Sequence, residues 1–164
     1  MNKLGIVGTG IMGTDLAHMT AEAGFQVRIY DINHQKSVIA KETIAYRLEE
    51  YIKKERISAD EKNRILSNIS PVENLKEISD SDIFLEAANE DLFVKKEIFK
   101  ELDNISGGGS VLASITSSIS ITEIAAATTR PESVIGLHFL NPARVMKLVE
   151  IVPGFCTTRE TIEM

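Results

Sequence analysis

Gly8, Gly10 and Gly13 form a Gly-x-Gly-x-x-Gly run, and no other feature constrains this chain as strongly. The run follows Leu4-Gly5-Ile6-Val7, a short apolar stretch that reads as a buried strand. It leads into residues 11–23, a helical pattern closed by Gly24. Strand, glycine turn and helix in that order is the setting that gives such a run meaning. Gly8 permits the tight turn, Gly10 lets backbone approach a ligand, and Gly13 lets the helix pack closely on the strand. Free N–H groups and the helix dipole favour an anion at that end.

Residues 25–30 alternate as a second strand and end at Asp31, 18 residues after Gly13. A carboxylate there accepts hydrogen bonds from an adenosine ribose and repels a 2′-phosphate. The expected ligand is therefore a dinucleotide, NAD rather than NADP. A bare tight turn with a strand-end cap is the alternative for these residues, and the ordered context weighs against it.

The rest of the chain alternates in the same way. A long charged helix is expected over about 35–56, then a helix from the Ser58/Glu61 capping pair to about residue 67. A third strand is expected at 83–87 and a helix at 93–102. A strand at 111–114 is followed by a helix at 121–127, capped by Ser120 with Glu123. Two more strands, 134–139 and 148–152, flank a turn at Pro142. This pattern predicts an α/β chain with a Rossmann-type, doubly wound, mostly parallel sheet and helices on both faces. Thr157 and Glu160 resemble a third capping box, but the sequence stops at Met164. One helical turn does not stand alone, so the sequence is expected to be cut short of a longer chain.

Composition narrows the classes. The 164 residues suit one domain, with 43% apolar residues. A net charge of −6 argues against a nucleic-acid partner, which wants a basic face. No apolar run approaches the roughly 18 residues of a membrane span, and the N-terminus lacks a signal-peptide pattern. With the single Cys156 excluding an internal disulfide, the chain reads as soluble and cytoplasmic. Cys156 has no metal-ligating neighbour, and no metal is expected.

Two polar residues are stranded in apolar runs. His138 lies in Val134–Leu140 and Glu150 in Leu148–Val152. If the two runs pair antiparallel about Pro142, positions summing to 288 can oppose, and 138 + 150 = 288. Glu150 shares a strand face with Leu148 and Val152, so its carboxylate is expected to be partly buried and in need of a partner. A histidine held by a carboxylate is a good general base; a structural ion pair fits the spacing equally well. Ser114-Ile115-Thr116-Ser117-Ser118 follows a strand end, where ligands bind, and reads otherwise as a polar loop. Glu90 and Lys95 read, by pattern, as a charged loop and a solvated helix face. Arg47 and Lys54 share a helix face with Tyr51, a possible phosphate contact and more simply a solvated face.

Taken together, the segments resemble the 3-hydroxyacyl-CoA dehydrogenase family. The resemblance rests on Gly8-x-Gly-x-Met-Gly13, Glu86-Ala-Ala-x-Glu90, Lys95 with Ile98-Phe99, and Thr116-Ser-Ser118. It rests further on Gly136-Leu-His-Phe-Leu-Asn-Pro142 and Met146-Lys-Leu-Val-Glu150. It implies hydride transfer between NAD and an acyl-CoA substrate, interconverting L-3-hydroxyacyl-CoA and 3-ketoacyl-CoA. His138 would move the proton, Glu150 would orient it, Ser117 would bind the reacting oxygen, and Asn141 would support the site. Gly8 to Gly13, with Ile11 and Met12 among them, would hold the cofactor with Asp31. Glu90 and Lys95 would line its nicotinamide end, and Lys54 is implied as a CoA contact. Residues 1–164 would be the NAD-binding domain alone, without the family's helical C-terminal domain, which closes the site and mediates dimerisation. A homodimer or a separate helical partner chain is thus implied. Ile115 stands where the family usually has Asn, which leaves one oriented amide missing.

Overall fold

The computed structural model describes residues 2–164. Among them, seven strands form one sheet: β1 (Lys3–Val7), β2 (Gln26–Tyr30), β3 (Ile69–Pro71), β4 (Ile83–Glu86), β5 (Val111–Ser114), β6 (Val134–Phe139) and β7 (Val149–Pro153). Their spatial order is β3-β2-β1-β4-β5-β6-β7. All neighbours are parallel except β7, which runs antiparallel to β6. The chain begins in the middle, winds out through β2 and β3, then crosses back to β4. That reversal beside β1 opens the crevice where doubly wound sheets bind ligands, outside the carboxyl ends of the strands.

The helices are α1 (Ile11–Glu22), α2 (His34–Lys53), α3 (Ala59–Ser67), α4 (Leu92–Ile105), α5 (Ile121–Ala125) and α6 (Arg159–Glu163). They cover both faces because successive strand residues point to opposite sides. On one face Leu4, Ile6, Val27, Ile29 and Leu85 pack with Leu16, Ile44, Leu48 and Ile65 of α1, α2 and α3. On the other, Phe84, Leu112 and Val134 pack with Phe99, Leu102 and Ile124 of α4 and α5. Each such side chain contributes roughly 1.5–3 kcal/mol by burial, which makes the sheet a rigid platform for its loops.

Several boundaries differ from expectation. β3 was not foreseen; it is three residues long and ends in Pro71 at the sheet's edge, where a missing N–H costs nothing. α2 stops at Lys53, and Glu55 takes φ 54°, so the helix turns off before Arg56. α4 runs on to Ile105, whereas α5 ends at Ala125. Ser58 and Ser120 do cap their helices, accepting from the N–H of Glu61 and Glu123. The cap of α6 is Thr158, not Thr157. The Thr157 hydroxyl instead donates to Val134 O at 2.6 Å and accepts from Gly154 N at 2.7 Å, which ties the segment after β7 to β6.

Candidate functional site

The glycine turn joins β1 to α1 at the crevice. Gly8 has φ 95°, and a Cβ there would lie 2.6 Å from Ala87 O. A Cβ on Gly13 would lie 2.0 Å from Gly8 O, so helix and turn touch backbone to backbone. Around Gly10, by contrast, no atom lies within 4 Å of where a Cβ would sit. Gly10 is also the N-cap of α1 and offers no side chain to its amides. Those amides face open space at the positive end of the helix, a cradle suited to a pyrophosphate. Ile11 opens the helix exposed, and Met12 packs back on the core.

Asp31 directly follows β2 beside this turn. Its Oδ2 accepts from Thr9 N and Thr9 Oγ1, both at 3.0 Å, and Oδ1 accepts from Asn33 N at 3.1 Å. The carboxylate is thereby locked next to the cradle, where a ribose hydroxyl can reach it. These residues fit a dinucleotide.

A buried charge network stands at the ends of β4 and β5. Glu86 and Lys95 are both fully buried. Lys95 Nζ lies 2.9 Å from each Glu86 carboxylate oxygen and 3.3 Å from Glu90 Oε2. Glu86 also accepts from Ser114 Oγ at 2.7 Å and Ala88 N at 2.8 Å. Glu90 Oε1 accepts from the Thr116 hydroxyl, Ser117 N and Ser118 Oγ. Burial pushes the Glu90 carboxyl up, but those hydrogen bonds and the Lys95 ammonium outweigh it and hold the group below the usual range. The expected solvated face for Lys95 is therefore wrong. Lys95, Phe99 and Leu102 share the buried stripe of α4, and the chain satisfies the ammonium with carboxylates rather than water.

β6 and β7 bring the stranded pair together. His138 lies opposite Glu150 in the antiparallel register, and His138 Nδ1 is 2.6 Å from Glu150 Oε2. An open cleft of about 440 Å³ is lined by both, by Thr116, Ser117 and Ser118, and by Ile121 and Val152. The expected burial of Glu150 does not hold. Its side chain is 54% exposed, because β7 is the edge strand and every one of its residues is exposed.

The other candidates lie outside that lining. Asn141 follows β6 in an exposed loop before a cis Pro142. Lys54 caps the C-terminal end of α2 and is exposed. Arg47 is not free for a phosphate, since it pairs with Asp15 at 2.6 Å. Tyr51 between them lies under the guanidinium groups of Arg56 and Arg144, at 5.8 and 5.4 Å from its ring centre. Ile115 packs against the core, and its N–H donates to Glu86 O. The sequence marks Ser114 within its hydroxyl run and Glu86 within a family segment, but it gives no sign that Glu86 is the buried counter-charge of Lys95 or that Thr9 holds Asp31.

The fold and these sites define a dinucleotide-binding α/β domain. Residues 3–164 match the family model described as 3-hydroxyacyl-CoA dehydrogenase, NAD binding domain. The chain belongs to the 3-hydroxyacyl-CoA dehydrogenase family, and its cofactor is NAD. It is 40% identical over 161 residues to a probable 3-hydroxybutyryl-CoA dehydrogenase of Bacillus subtilis, covering 98% of this chain and 56% of that protein. It is 40% identical over 163 residues to a 3-hydroxyadipyl-CoA dehydrogenase of Escherichia coli, covering 99% of this chain and 34% of that protein. The crystal structure of (S)-3-hydroxybutyryl-CoA dehydrogenase from Ralstonia eutropha superposes with a TM-score of 0.94 at 38% identity, over 98% of this chain and 57% of that one. The chain thus spans about a third to just over half the length of these relatives. Among the described residues, no helix is long and apolar enough to cross a membrane.

Proposed function

We propose that this chain is the NAD-binding domain of an enzyme that interconverts L-3-hydroxyacyl-CoA and 3-ketoacyl-CoA. We take the acyl group to be short, as in 3-hydroxybutyryl-CoA and acetoacetyl-CoA, and the setting to be the cytoplasm. The observation that carries this reading is the His138–Glu150 pair, 2.6 Å apart in a cleft that Ser117 also lines. An ion pair this exposed contributes at most about 1 kcal/mol to folding, so stability is a poor reason for building it.

With Nδ1 held by Glu150 and no hydrogen bond to Nε2 among the described residues, His138 offers Nε2 to the substrate. In oxidation Nε2 takes the proton of the substrate hydroxyl; in reduction it returns that proton to the carbonyl oxygen. Glu150 fixes the tautomer and stabilises the imidazolium. The Ser117 hydroxyl donates to the reacting oxygen, and Asn141, three residues past His138, supports the site. Gly8 to Gly13 and Asp31 hold the cofactor's pyrophosphate and adenosine ribose, with Glu90 toward the nicotinamide end. NAD, when bound, supplies the hydride exchange at C3. Lys54 serves as a contact for CoA. A helical C-terminal domain, or a separate helical chain, completes the enzyme and supports dimerisation. The wholly exposed β7, with its apolar Val149, Ile151 and Val152, favours such a cover.

The test is NADH oxidation with acetoacetyl-CoA by this chain joined to the helical domain of a relative. His138→Ala is expected to slow turnover by about 10²- to 10⁴-fold, and Glu150→Gln by about 10²-fold, each costing under about 1 kcal/mol of stability. Unchanged turnover in His138→Ala overturns the assignment. A second reading, a cofactor-binding module without catalysis, is favoured by Ile115, whose side chain packs on the core and offers no amide. It expects NADH binding but no acetoacetyl-CoA-dependent oxidation, even with the helical domain joined.

A further inference from the structure

Thr9 stands between Gly8 and Gly10, at a position the glycine pattern leaves open to any residue, and it is buried. Gly8 N donates to Tyr30 O at 2.8 Å, which carries the pairing of β1 with β2 one residue into the turn. Thr9 is thereby set beside Asp31, which is buried as well. The Thr9 N–H and the Thr9 hydroxyl both donate to Asp31 Oδ2 at 3.0 Å. The Thr9 carbonyl accepts from Thr14 Oγ1 of α1 at 3.2 Å, so the residue is held from the helix side too.

A carboxylate offers about four lone-pair sites. Thr9 fills both on Oδ2, and Asn33 N, at 3.1 Å, fills one on Oδ1. One site, on Oδ1, is left for the ribose diol. The same bonds resist movement. A 2′-phosphate beside Asp31 fits only if the carboxylate swings away, and swinging away breaks them. Hydrogen bonds to an ionised acceptor are the stronger kind, so the loss is large. Backbone donors such as Thr9 N and Asn33 N come with almost any residue; the hydroxyl is what threonine adds. Its branched Cβ makes χ1 stiff, and Thr14 pins its carbonyl, so the hydroxyl does not follow a moving carboxylate.

We propose that Thr9 is a positioning residue for cofactor choice: its hydroxyl tethers Asp31 in place and makes displacement of that carboxylate by the 2′-phosphate of NADP costly. The proposal rests on the reading that Asp31 faces the adenosine ribose. It assigns the preference for NAD to a pair of residues, one of them outside the glycines and the acid that define the motif.

The test titrates the 164-residue chain and three variants with NADH and, separately, with NADPH in a calorimeter. Thr9→Val keeps the branched shape and the backbone donor and removes the hydroxyl. Thr9→Ser puts a hydroxyl back. Asp31→Asn removes the charge itself and so examines the reading beneath the proposal. Thermal melts show which variants keep the fold, and Thr9→Ala, also without a hydroxyl, replaces Thr9→Val if the valine does not fit.

Thr9→Val is expected to lower the ratio of the NADPH to the NADH dissociation constant by about tenfold, the scale of one hydrogen bond to a charged group. Thr9→Ser is expected to keep the parent's ratio, and Asp31→Asn to lower it at least as far as Thr9→Val does. A ratio unchanged in Thr9→Val but lowered in Asp31→Asn overturns the tether and leaves the reading of Asp31 standing. A ratio unchanged in Asp31→Asn overturns that reading, and the proposal with it. A ratio lowered equally in Thr9→Val and Thr9→Ser shows that the hydroxyl is not the cause and overturns the tether as well. Equal weakening of both cofactors in Thr9→Val, with a lower melting temperature, assigns the hydroxyl to the fold alone and counts against the proposal.

Discussion

His18 sits on α1 with no exposure, and neither ring nitrogen has a hydrogen-bond partner among the described residues. Burial, first, and then the charges of Arg144 and Arg47 lower its pKa from 6.5 to about 4. Between those two values the unfolded chain takes up a proton that the folded chain refuses. Stability is therefore full above pH 6.5 and falls as acid is added toward pH 4, by up to about 3 kcal/mol. The Lys3–Asp80–Arg28 cluster contributes at more acid pH, since its two cations hold Asp80 at about 2. Replacing an unpartnered buried polar group by an apolar one of similar size is neutral or favourable. His18→Leu is thus expected to match or exceed the parent's melting temperature at pH 7 and to flatten its decline from pH 6.5 to 4. Thermal melts across that range check it, and an equally steep decline in the variant refutes it. The ring lies 6.4 Å from that of Tyr51, in a cluster between α1 and α2 where the sequence pattern predicts a solvated face. Residue types announce charge but not burial. Lys95 shows the same: its spacing to Phe99 and Leu102, i, i+4 and i+7, marks a buried stripe, yet its charge predicts a solvent-facing side chain.

The β1–turn–α1 unit behaves differently, since its glycines state their purpose in the sequence. Gly13 touches Gly8 backbone, whereas Gly10 faces open space. Gly13→Ala is expected to cost about 2 kcal/mol or more, because backbone must move. Gly10→Ala is expected to cost under about 1 kcal/mol, yet to weaken NADH by tenfold or more, as its Cβ enters the cradle. Denaturant melts alongside NADH titrations separate the two effects; a Gly10→Ala chain that binds NADH as the parent does contradicts the cradle. The antiparallel β6–β7 register was legible for a related reason: strand spacing is rigid, so 138 and 150 had one way to meet about Pro142. What stayed illegible were features that no local signal marks. β3 is too short for a period to show, and the charged run at 53–56 carries no Gly or Pro to announce the end of α2. The exposure of Glu150 follows from β7 being the last strand, which depends on the whole sheet and not on Leu148–Val152.

At the scale of the molecule, the glycine turn, Asp31, the Glu86–Lys95–Glu90 triad and His138–Glu150 all lie at one edge of the sheet. That edge holds the carboxyl ends of the parallel strands and, because β7 runs antiparallel, the start of β7. Doubly winding the chain about β1 is sufficient to gather them, so one topology turns motifs spread over some 140 residues into one surface. The sheet and helices that build this surface have both faces packed, and the core does not depend on β7. The chain is therefore expected to bind its cofactor without the remaining length of its relatives. Asp31 is locked by Thr9 and Asn33 beside the cradle, and a carboxylate placed there is expected to repel a 2′-phosphate and so to favour NADH over NADPH. Calorimetric titration of the 164-residue chain with NADH, and separately with NADPH, tests this most directly. Saturable one-to-one binding of NADH, with NADPH at least about tenfold weaker, is the predicted result. No saturable NADH binding, or equal affinity for NADPH, would contradict it.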